Sequence, residues 1–492
     1  MMVSVVIPCK NEAGRLPAFL EILRTYIQTR PERFEVIVVD DGSTDQTSSV
    51  VLNIQTNWPI LRLIRNPVNR GKGFAVKRGF FAAQGDIVLF LDADGSTLPD
   101  EIGRNLHFFS EGYDILIGSR AIPGQEQGVK AKWYRRFIGR IFNGCVHAFL
   151  FQNIHDTQCG FKMFRREVVA PLFSRLVLNG FGFDIELLYL AVKLGFRIKE
   201  VPIVWVHKDG SKVSLWKDSI RMFVNILQVR NWHCTPINVH DVNIRTEELQ
   251  FMSDLENRHW WFLSKAQLVR VLLKAHGGRT GNILDAGCGT GFNFTVLKDF
   301  GRTFGFDITP QALHFCRKNT ADVPLSLSSG QSLCFKNKSF VWVTALDLIE
   351  HISDPHKALC EFYRVLQDDG RVLLTVPALR ILWSQHDEAL CHFRRYEKKD
   401  VRLLAEDTGF EIERIGFFFF TAFLVVFPIR LLRRLRAGHG SMKSDTTTLP
   451  PPFLNWLLQK ICFFESWVIR SLSLPVGTTI YAVLKKKSGA AV

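Results

Sequence analysis

Asp92 and Asp94, in the run Val88-Leu89-Phe90-Leu91-Asp92-Ala93-Asp94-Gly95-Ser96, are two carboxylates one residue apart at the end of an apolar stretch. Such hard oxygen ligands suit Mg2+ or Mn2+, and a cation of that kind grips a nucleotide diphosphate. The bland alternative is an Asp-Gly turn after a strand. Asp40-Asp41-Gly42-Ser43 closes an earlier apolar run and offers carboxylates to a nucleobase or ribose. Asn69-Arg70-Gly71-Lys72-Gly73 places two glycines and two cations before a helical pattern, a geometry for anion contact. Much later, Asp285-Ala286-Gly287-Cys288-Gly289-Thr290-Gly291 joins a strand to a helix, and Asp307 follows a second strand about 20 residues on, suited to ribose hydroxyls. The spacing predicts two separate nucleotide pockets.

The elements that must position these groups read as alternating strands and helices. Val3-Ser4-Val5-Val6-Ile7-Pro8 and Phe34-Glu35-Val36-Ile37-Val38-Val39 are continuous apolar runs, as in a parallel sheet covered on both faces. Leu16, Leu20, Leu23 and Ile27 between them share one helical face. The pattern repeats with a strand at residues 60–64, a helix at 73–83 and a strand at 87–91. In such sheets ligands sit beyond the carboxyl ends of the strands, where these polar clusters fall.

A chain of 492 residues exceeds one core and favours two or three domains. A formal charge of +15 points to anionic partners, and 41 Phe, crowded near the C-terminal end, favour a membrane surface over nucleic acid. Ten cysteines without a C-x-x-C pair predict neither a zinc site nor a disulfide framework, hence a reducing, cytoplasmic setting. The opening Met-Met-Val-Ser-Val-Val-Ile-Pro reads as a strand and not as a signal peptide.

In order, Ile7-Pro8-Cys9-Lys10-Asn11-Glu12, Val39-Asp40-Asp41-Gly42-Ser43, Asn69-Arg70-Gly71-Lys72-Gly73 and Asp92-Ala93-Asp94-Gly95 resemble the inverting family 2 glycosyltransferases. Gly118-Ser119-Arg120, Asp156-Thr157-Gln158-Cys159-Gly160-Phe161-Lys162 and Gly182-Phe183-Asp184-Ile185-Glu186 narrow the resemblance to the dolichyl- and polyprenyl-phosphate sugar transferases, most of all the glucosyltransferase branch. The resemblance implies a GT-A (nucleotide-diphospho-sugar transferase) domain. Pro8, Asn11, Glu12, Asp40, Asp41, Gly71, Lys72, Asp92 and Ala93 would contact the nucleoside-diphosphate sugar, and Asp92 and Asp94 would be the metal ligands. Asp94, Asp156 and Arg120 are the catalytic candidates; Arg120, Arg135, Arg136 and Lys212 are candidates for the acceptor phosphate, since guanidinium forks match phosphate oxygens. Related mannosyltransferases often place Gln where Ser96 stands. The Gln-x-x-Arg-Trp signature of processive synthases is out of register at Gln228-Val229-Arg230-Asn231-Trp232, against polymerisation.

The second half resembles the class I S-adenosylmethionine-dependent methyltransferases, through the glycine loop, Ala345-Leu346-Asp347-Leu348-Ile349-Glu350-His351 and Leu373-Leu374-Thr375-Val376-Pro377. The resemblance implies a Rossmann-like domain in which Asp285, Gly287, Gly289, Gly291, Asp307 and Asp347 bind S-adenosylmethionine; NAD is the weaker fit. Ser329-Gly330-Gln331-Ser332 stands where the family commonly has an acid for the adenine. The methyl acceptor is not readable, although His386, Asp387 and His392 are candidates to face it.

Residues 410–417 and 479–484 read as strands, which the same resemblance implies pair antiparallel, across an apolar insertion before the last strand that is far longer than a hairpin loop. Pro428 and Glu465 interrupt its apolar runs, so residues 418–474 are expected to lie in a membrane interface beside Arg430, Arg433, Arg434 and Arg436, with a buried helical pair as the alternative. Residues 215–229 carry a further amphipathic pattern. The expected organisation is a glycosyltransferase domain at 1–232, an entry segment at 233–257 and a methyltransferase domain at 258–492. The leading expectation is a bifunctional enzyme on the cytoplasmic membrane face, transferring a hexose to polyprenyl phosphate and methylating a lipid- or glycan-linked acceptor. The alternative is transfer to a soluble glycan or protein, with the second half a non-catalytic docking module.

Overall fold

The computed structural model describes residues 1–120, 154–205, 224–226, 228–229, 246–277, 281–320, 322–435 and 449–487. The chain divides into two compact units, Met1–Asn238 and Val239–Val492. Each is an α/β unit around its own sheet.

The first sheet contains β1 (Met2–Cys9), β2 (Arg33–Asp41), β3 (Leu61–Asn66), β4 (Ile87–Leu91), β5 (Ile115–Ser119), β6 (Phe161–Arg165) and β7 (Ile198–Pro202), in the order β3-β2-β1-β4-β6-β5-β7. Parallel pairing holds β1 to β2 and β4, and only β6 runs against its neighbours β4 and β5. The strands are apolar without alternation because helices cover both faces. On one face, Leu16, Phe19, Leu20 and Leu23 of α1 (Leu16–Gln28) enter the core with Val3, Val5, Ile7, Leu89 and Leu91. α2 (Thr47–Gln55) follows β2, α3 (Lys72–Ala82) precedes β4, and α4 (Arg166–Phe173) and α5 (Phe183–Lys193) follow β6. The chain leaves β1 towards β2 on one side and meets β4 on the other, so a crevice opens at the carboxyl ends of β1 and β4.

The second sheet has β8 (Asn282–Ala286), β9 (Arg302–Asp307), β10 (Leu325–Leu327), β11 (Phe340–Leu346), β12 (Leu366–Pro377), β13 (Phe410–Phe418) and β14 (Thr479–Lys486), ordered β10-β9-β8-β11-β12-β14-β13. As expected from the sequence, the last strand is antiparallel to β13, and to β12 as well. The switch point lies between β8 and β11. Around the sheet run α6 (Thr246–Leu255), α7 (Trp260–His276), α8 (Pro310–Asn319), α9 (Pro355–Val365), α10 (Lys398–Asp407), α11 (Phe420–Leu435) and α12 (Pro452–Val468).

The described residues of the insertion form two helices. Pro428 does not end α11, which continues to Leu435. Glu465, read as an interruption of an apolar run, is buried and accepts bonds from the Phe420 N–H at 3.0 Å, the Thr421 N–H at 2.8 Å and the Thr421 hydroxyl, closing the amino end of α11. On α12, Cys462, Glu465 and Ser466 are buried, and Asn455 caps α7 by accepting from the Trp260 N–H at 2.9 Å. The opposite face of α12 is open: Phe453 is 71% exposed, Trp456 52%, Phe464 61% and Trp467 62%. Among the described residues, no helix is long and apolar enough to cross a membrane.

Candidate functional sites

In the first unit, the loops after β1, β2 and β4 and the turn before α3 converge at the crevice. Asn11, at φ 52°, accepts the Thr44 N–H at 2.8 Å through its side-chain oxygen, while its own N–H donates to the Ser43 hydroxyl at 2.8 Å. Glu12 forms a bidentate pair with Arg15 at 2.6 and 2.7 Å. Pro8 lies within β1, paired in register with Val39. Asp40 accepts the Ser43 N–H at 2.9 Å and the Ser48 hydroxyl. Asp41 accepts from the Asn66 amide at 2.8 Å, the Arg70 N–H at 3.0 Å and the Gly71 N–H at 2.7 Å. This carboxylate therefore fixes the glycine-rich turn. Gly71 is required there: its φ is +102°, and a Cβ would meet the Asn179 carbonyl oxygen at 2.3 Å.

That turn delivers Lys72 to the first aspartate of the pair, Nζ to Asp92 Oδ1 2.5 Å. Burial works against the Lys72 charge, but Asp92 and Asp184 outweigh it and raise its affinity for the proton. Asp94 turns one oxygen inward to the Ser96 N–H at 2.9 Å and the Ser96 hydroxyl at 2.7 Å. Ser96 thus orients Asp94. Ala93 between the two carboxylates packs into the core. Behind Asp92, Gly160 leaves the room that the carboxylate occupies, for a Cβ there would meet Asp92 Oδ2 at 2.0 Å. The donor set is two hard carboxylates on a rigid strand end, which fits a hard divalent cation.

Lys162 and Asp184 form a buried ion pair in the same unit. Lys162, fully buried, pairs with Asp184 at 2.6 Å, donates to the Cys159 carbonyl at 2.7 Å and lies 5.3 Å from the Phe90 ring centroid. Burial pushes the Asp184 carboxyl up, against the pull of Lys162 and Lys72. Arg120 and Asp156 form a fork: Nε to Oδ2 2.7 Å, Nη2 to Oδ1 2.9 Å, with the Arg120 N–H also on Oδ2 at 3.0 Å. Burial opposes ionisation of Asp156, yet its bonds to Arg120 hold it below the usual carboxylate range. Arg120 also lies 5.7 Å from the Trp205 ring centroid. The structure joins these two candidates into one unit; Arg135, Arg136, Lys212 and most of 215–229 lie outside the described residues.

In the second unit, Gly287, Gly289 and Gly291 all have positive φ, and a Cβ on Gly289 would meet open space, so conformation and not crowding selects glycine there. Asp285 is buried, accepts the Thr344 hydroxyl at 2.7 Å, and is pushed up to about 7 by burial. Asp307 accepts the Gly289 N–H at 3.1 Å and the Thr309 N–H at 2.9 Å, tying the end of β9 to the glycine loop. Asp347 accepts from Thr375 Oγ1 at 3.0 Å and pairs with Lys265 of α7. Ser329 and Ser332 form an isolated bridge, with Gln331 donating to Ser353 Oγ at 3.2 Å.

The sequence reading assigned no role to Lys265, Glu256 or Glu350. Glu256 accepts the Thr290 hydroxyl at 2.6 Å and is pushed up to about 7 by burial. Glu350 is fully buried near Lys265. His392, a candidate to face a substrate, has Nδ1 3.0 Å from Asp387 Oδ1, and Asp387 is held well below the carboxylate range by Arg395 and His392 despite burial. Glu256 and Lys265 meet partners 34 and 82 residues away, so spacing gave no signal for them, whereas Asp387, His392 and Arg395 lie within one short stretch.

A family model described as glycosyl transferase family 2 matches residues 4–173, and one described as a methyltransferase domain matches residues 284–374. A Saccharomyces cerevisiae protein named dolichyl-phosphate beta-glucosyltransferase is 36% identical over 248 residues, covering 47% of this chain and 74% of that protein. A crystal structure of glucosyl-3-phosphoglycerate synthase from Mycobacterium tuberculosis with Mn2+, UDP-glucose and phosphoglyceric acid aligns at 22% identity and a TM-score of 0.37, over 46% of this chain and 79% of that one. A Bacillus halodurans structure assigned as a methyltransferase aligns at 18% identity and a TM-score of 0.31, over 45% of this chain and 99% of that one. The two domains are those of transferases. The chain belongs to the family 2 glycosyltransferases, in the group of the dolichyl-phosphate β-glucosyltransferases, and is a fusion of that enzyme domain with a methyltransferase.

Proposed function

We propose that the first domain transfers glucose from UDP-glucose to dolichyl or another polyprenyl phosphate with inversion, and that the second uses S-adenosylmethionine to methylate a lipid- or glycan-linked acceptor. The convergence of Asp92, Asp94 and Lys72 at one sheet mouth, in a chain related to a yeast enzyme of that name, carries this reading.

The acceptor phosphate is anionic at neutral pH, so its oxygen attacks the anomeric carbon without a strong base while the bond to the diphosphate breaks on the opposite face. Neutralising charge matters more than removing a proton. Asp92 and Asp94 would hold Mg2+ or Mn2+, which supplies countercharge to the departing diphosphate. Lys72 adds a cation beside them, and Asp41 holds the turn that carries it. Arg120, kept in place by Asp156, is suited to a phosphate oxygen, with Arg135, Arg136 and Lys212 as further candidates. In the second domain the glycine loop and Asp307 would cradle S-adenosylmethionine, whose sulfonium supplies the methyl group.

The open face of α12, with Leu424 and Val425 of α11 also exposed, in a chain of formal charge +15, supports docking on an anionic membrane surface, where a polyprenyl acceptor resides. Incubating the chain with labelled UDP-glucose and membranes should give a chloroform-soluble product that Asp94→Ala abolishes. A labelled product formed without lipid would reject the acceptor.

A further inference from the structure

We propose that Glu350, His351 and His392 form a metal site in the methyltransferase domain, one that takes a divalent transition-metal ion of borderline softness such as Zn2+. One ligand atom from each of the three side chains lies within 4.8 Å of the others. Donors on a tetrahedral ion with bonds of about 2.1 Å stand about 3.4 Å apart, so binding would draw the widest pair of the set together by up to about 1.4 Å. Two imidazoles and a carboxylate form a mixed nitrogen and oxygen set that suits Zn2+ better than Mg2+.

Glu350 supplies an independent reason. It is fully buried, and neither carboxylate oxygen meets a hydrogen-bond donor among the described residues. Leaving such a group unsatisfied is costly, and native proteins rarely do so without a ligand or a function. The nearby cations have anions of their own: Lys265 pairs with Asp347, and Arg395 Nε lies 2.7 Å from Asp387 Oδ1. Arg430 is 4.0 Å from Asp387 and donates to the Leu382 carbonyl.

The surroundings of His392 supply another. Its Nδ1 faces Asp387, which leaves Nε2 to point away from the carboxylate. A carboxylate that orients a histidine from behind is the usual support of a metal-ligating imidazole. Asp387 is itself fixed by Arg395 and by the Ser384 N–H at 2.9 Å. The His351 ring meets the His392 ring edge to face, with centroids 4.7 Å apart. The site comes from two stretches of chain, the loop after β11 and the segment before α10, and neither has metal-ligand spacing by itself.

Glu350 and His351 directly follow Asp347 and its neighbours at the carboxyl end of β11, beside the glycine loop after β8. A three-ligand ion leaves a coordination position open. If that position takes a hydroxyl of the methyl acceptor, the ion lowers its pKa and the proton leaves to solvent. The oxygen then attacks the methyl carbon, the carbon–sulfur bond breaks and the sulfonium becomes a thioether. This acceptor role rests on the methyl-transfer reading; the metal site does not.

The test uses the full chain with Asp92→Asn and Asp94→Asn, which remove the carboxylate pair of the first domain. After chelation, Co2+ titration should show one equivalent bound with the visible d–d bands of a low-coordinate ion, displaced by Zn2+. Adding Glu350→Gln or His392→Ala should weaken binding by more than about 100-fold, and Asp387→Asn by about 10- to 100-fold. A folded double variant that binds no Co2+ overturns the proposal whatever the ligand variants do, and so does an equivalent that survives both Glu350→Gln and His392→Ala. Calorimetry with S-adenosylmethionine on the same protein tests the methyl-transfer reading separately.

Discussion

Lys72 Nζ lies 2.5 Å from Asp92 Oδ1, where the turn leading into α3 meets the end of β4. The ammonium and a divalent cation would share one carboxylate, so under the proposed function Lys72 would contact the same diphosphate as the metal. Lys72→Met should lower glucosyl transfer by about 10²- to 10³-fold, the scale for losing one preorganised charge contact. The melting temperature should hardly move, because the partner Asp92 keeps partial contact with solvent. Steady-state rates with UDP-glucose, beside thermal unfolding, check both. Full activity would remove Lys72 from the site.

Gly160 has a different role from the glycines at positive φ. It provides space: a Cβ would fall 2.0 Å from Asp92 Oδ2. Gly160→Ala should push Asp92 out of position and cut glucosyl transfer at least tenfold while raising the Mn2+ concentration needed for half-maximal rate. Thermal stability should fall by about 1–3 kcal/mol, the usual cost of overpacking. Metal titration of the rate provides the readout, and an unchanged metal dependence would place Asp92 away from the cation.

Arg120 and Asp156 stand or fall together. Asp156→Ala removes both ends of the fork and frees the Arg120 side chain, so activity and stability should both drop. Breaking a buried pair costs about 3–5 kcal/mol, but Arg120 is a third exposed, and screening reduces the expected loss to about 1–3 kcal/mol. Asp156→Asn should recover part of the stability through the remaining bonds, without restoring the charge that holds the guanidinium. Denaturant unfolding and acceptor-dependent rates distinguish these effects.

What the sequence made legible follows from how local each signal is. The strand runs and the order of the motifs were readable because each is carried by a few consecutive residues, while the antiparallel last strand followed only from the resemblance to the methyltransferases. The joining of Arg120 to Asp156 was not, since 36 residues separate them. Lys265 meets Asp347 across 82 residues, and Glu465 reaches the start of α11 from 45 residues away. Glu465 looked like a charge breaking an apolar run because its partners are backbone N–H groups that no side-chain pattern records. Asp40 and Asp41 were marked as ligand contacts, but spacing could not tell that their oxygens also hold neighbouring loops. Site residues that double as scaffold are visible only once the loops are folded.

Asp285 makes the second domain pH-dependent in a predictable direction. Burial raises its carboxyl from 3.8 to about 7, so the folded domain retains a proton that the unfolded chain releases between these values. Folding stability from this group is therefore fully present below pH 4 and is lost as pH rises towards 7, by an amount on the order of a few kcal/mol. Asp285→Asn keeps the shape and removes the titration. The variant should melt close to wild type at pH 4 and progressively above it from pH 4 to 7, with the difference levelling off beyond. The measurement is differential scanning calorimetry of the transition that belongs to residues 239–492, followed as the difference between variant and wild type at each pH. That subtraction cancels the other titrating groups. A difference that stays flat across this range would mean that Asp285 is ionised in the folded state, with a countercharge near the glycine loop.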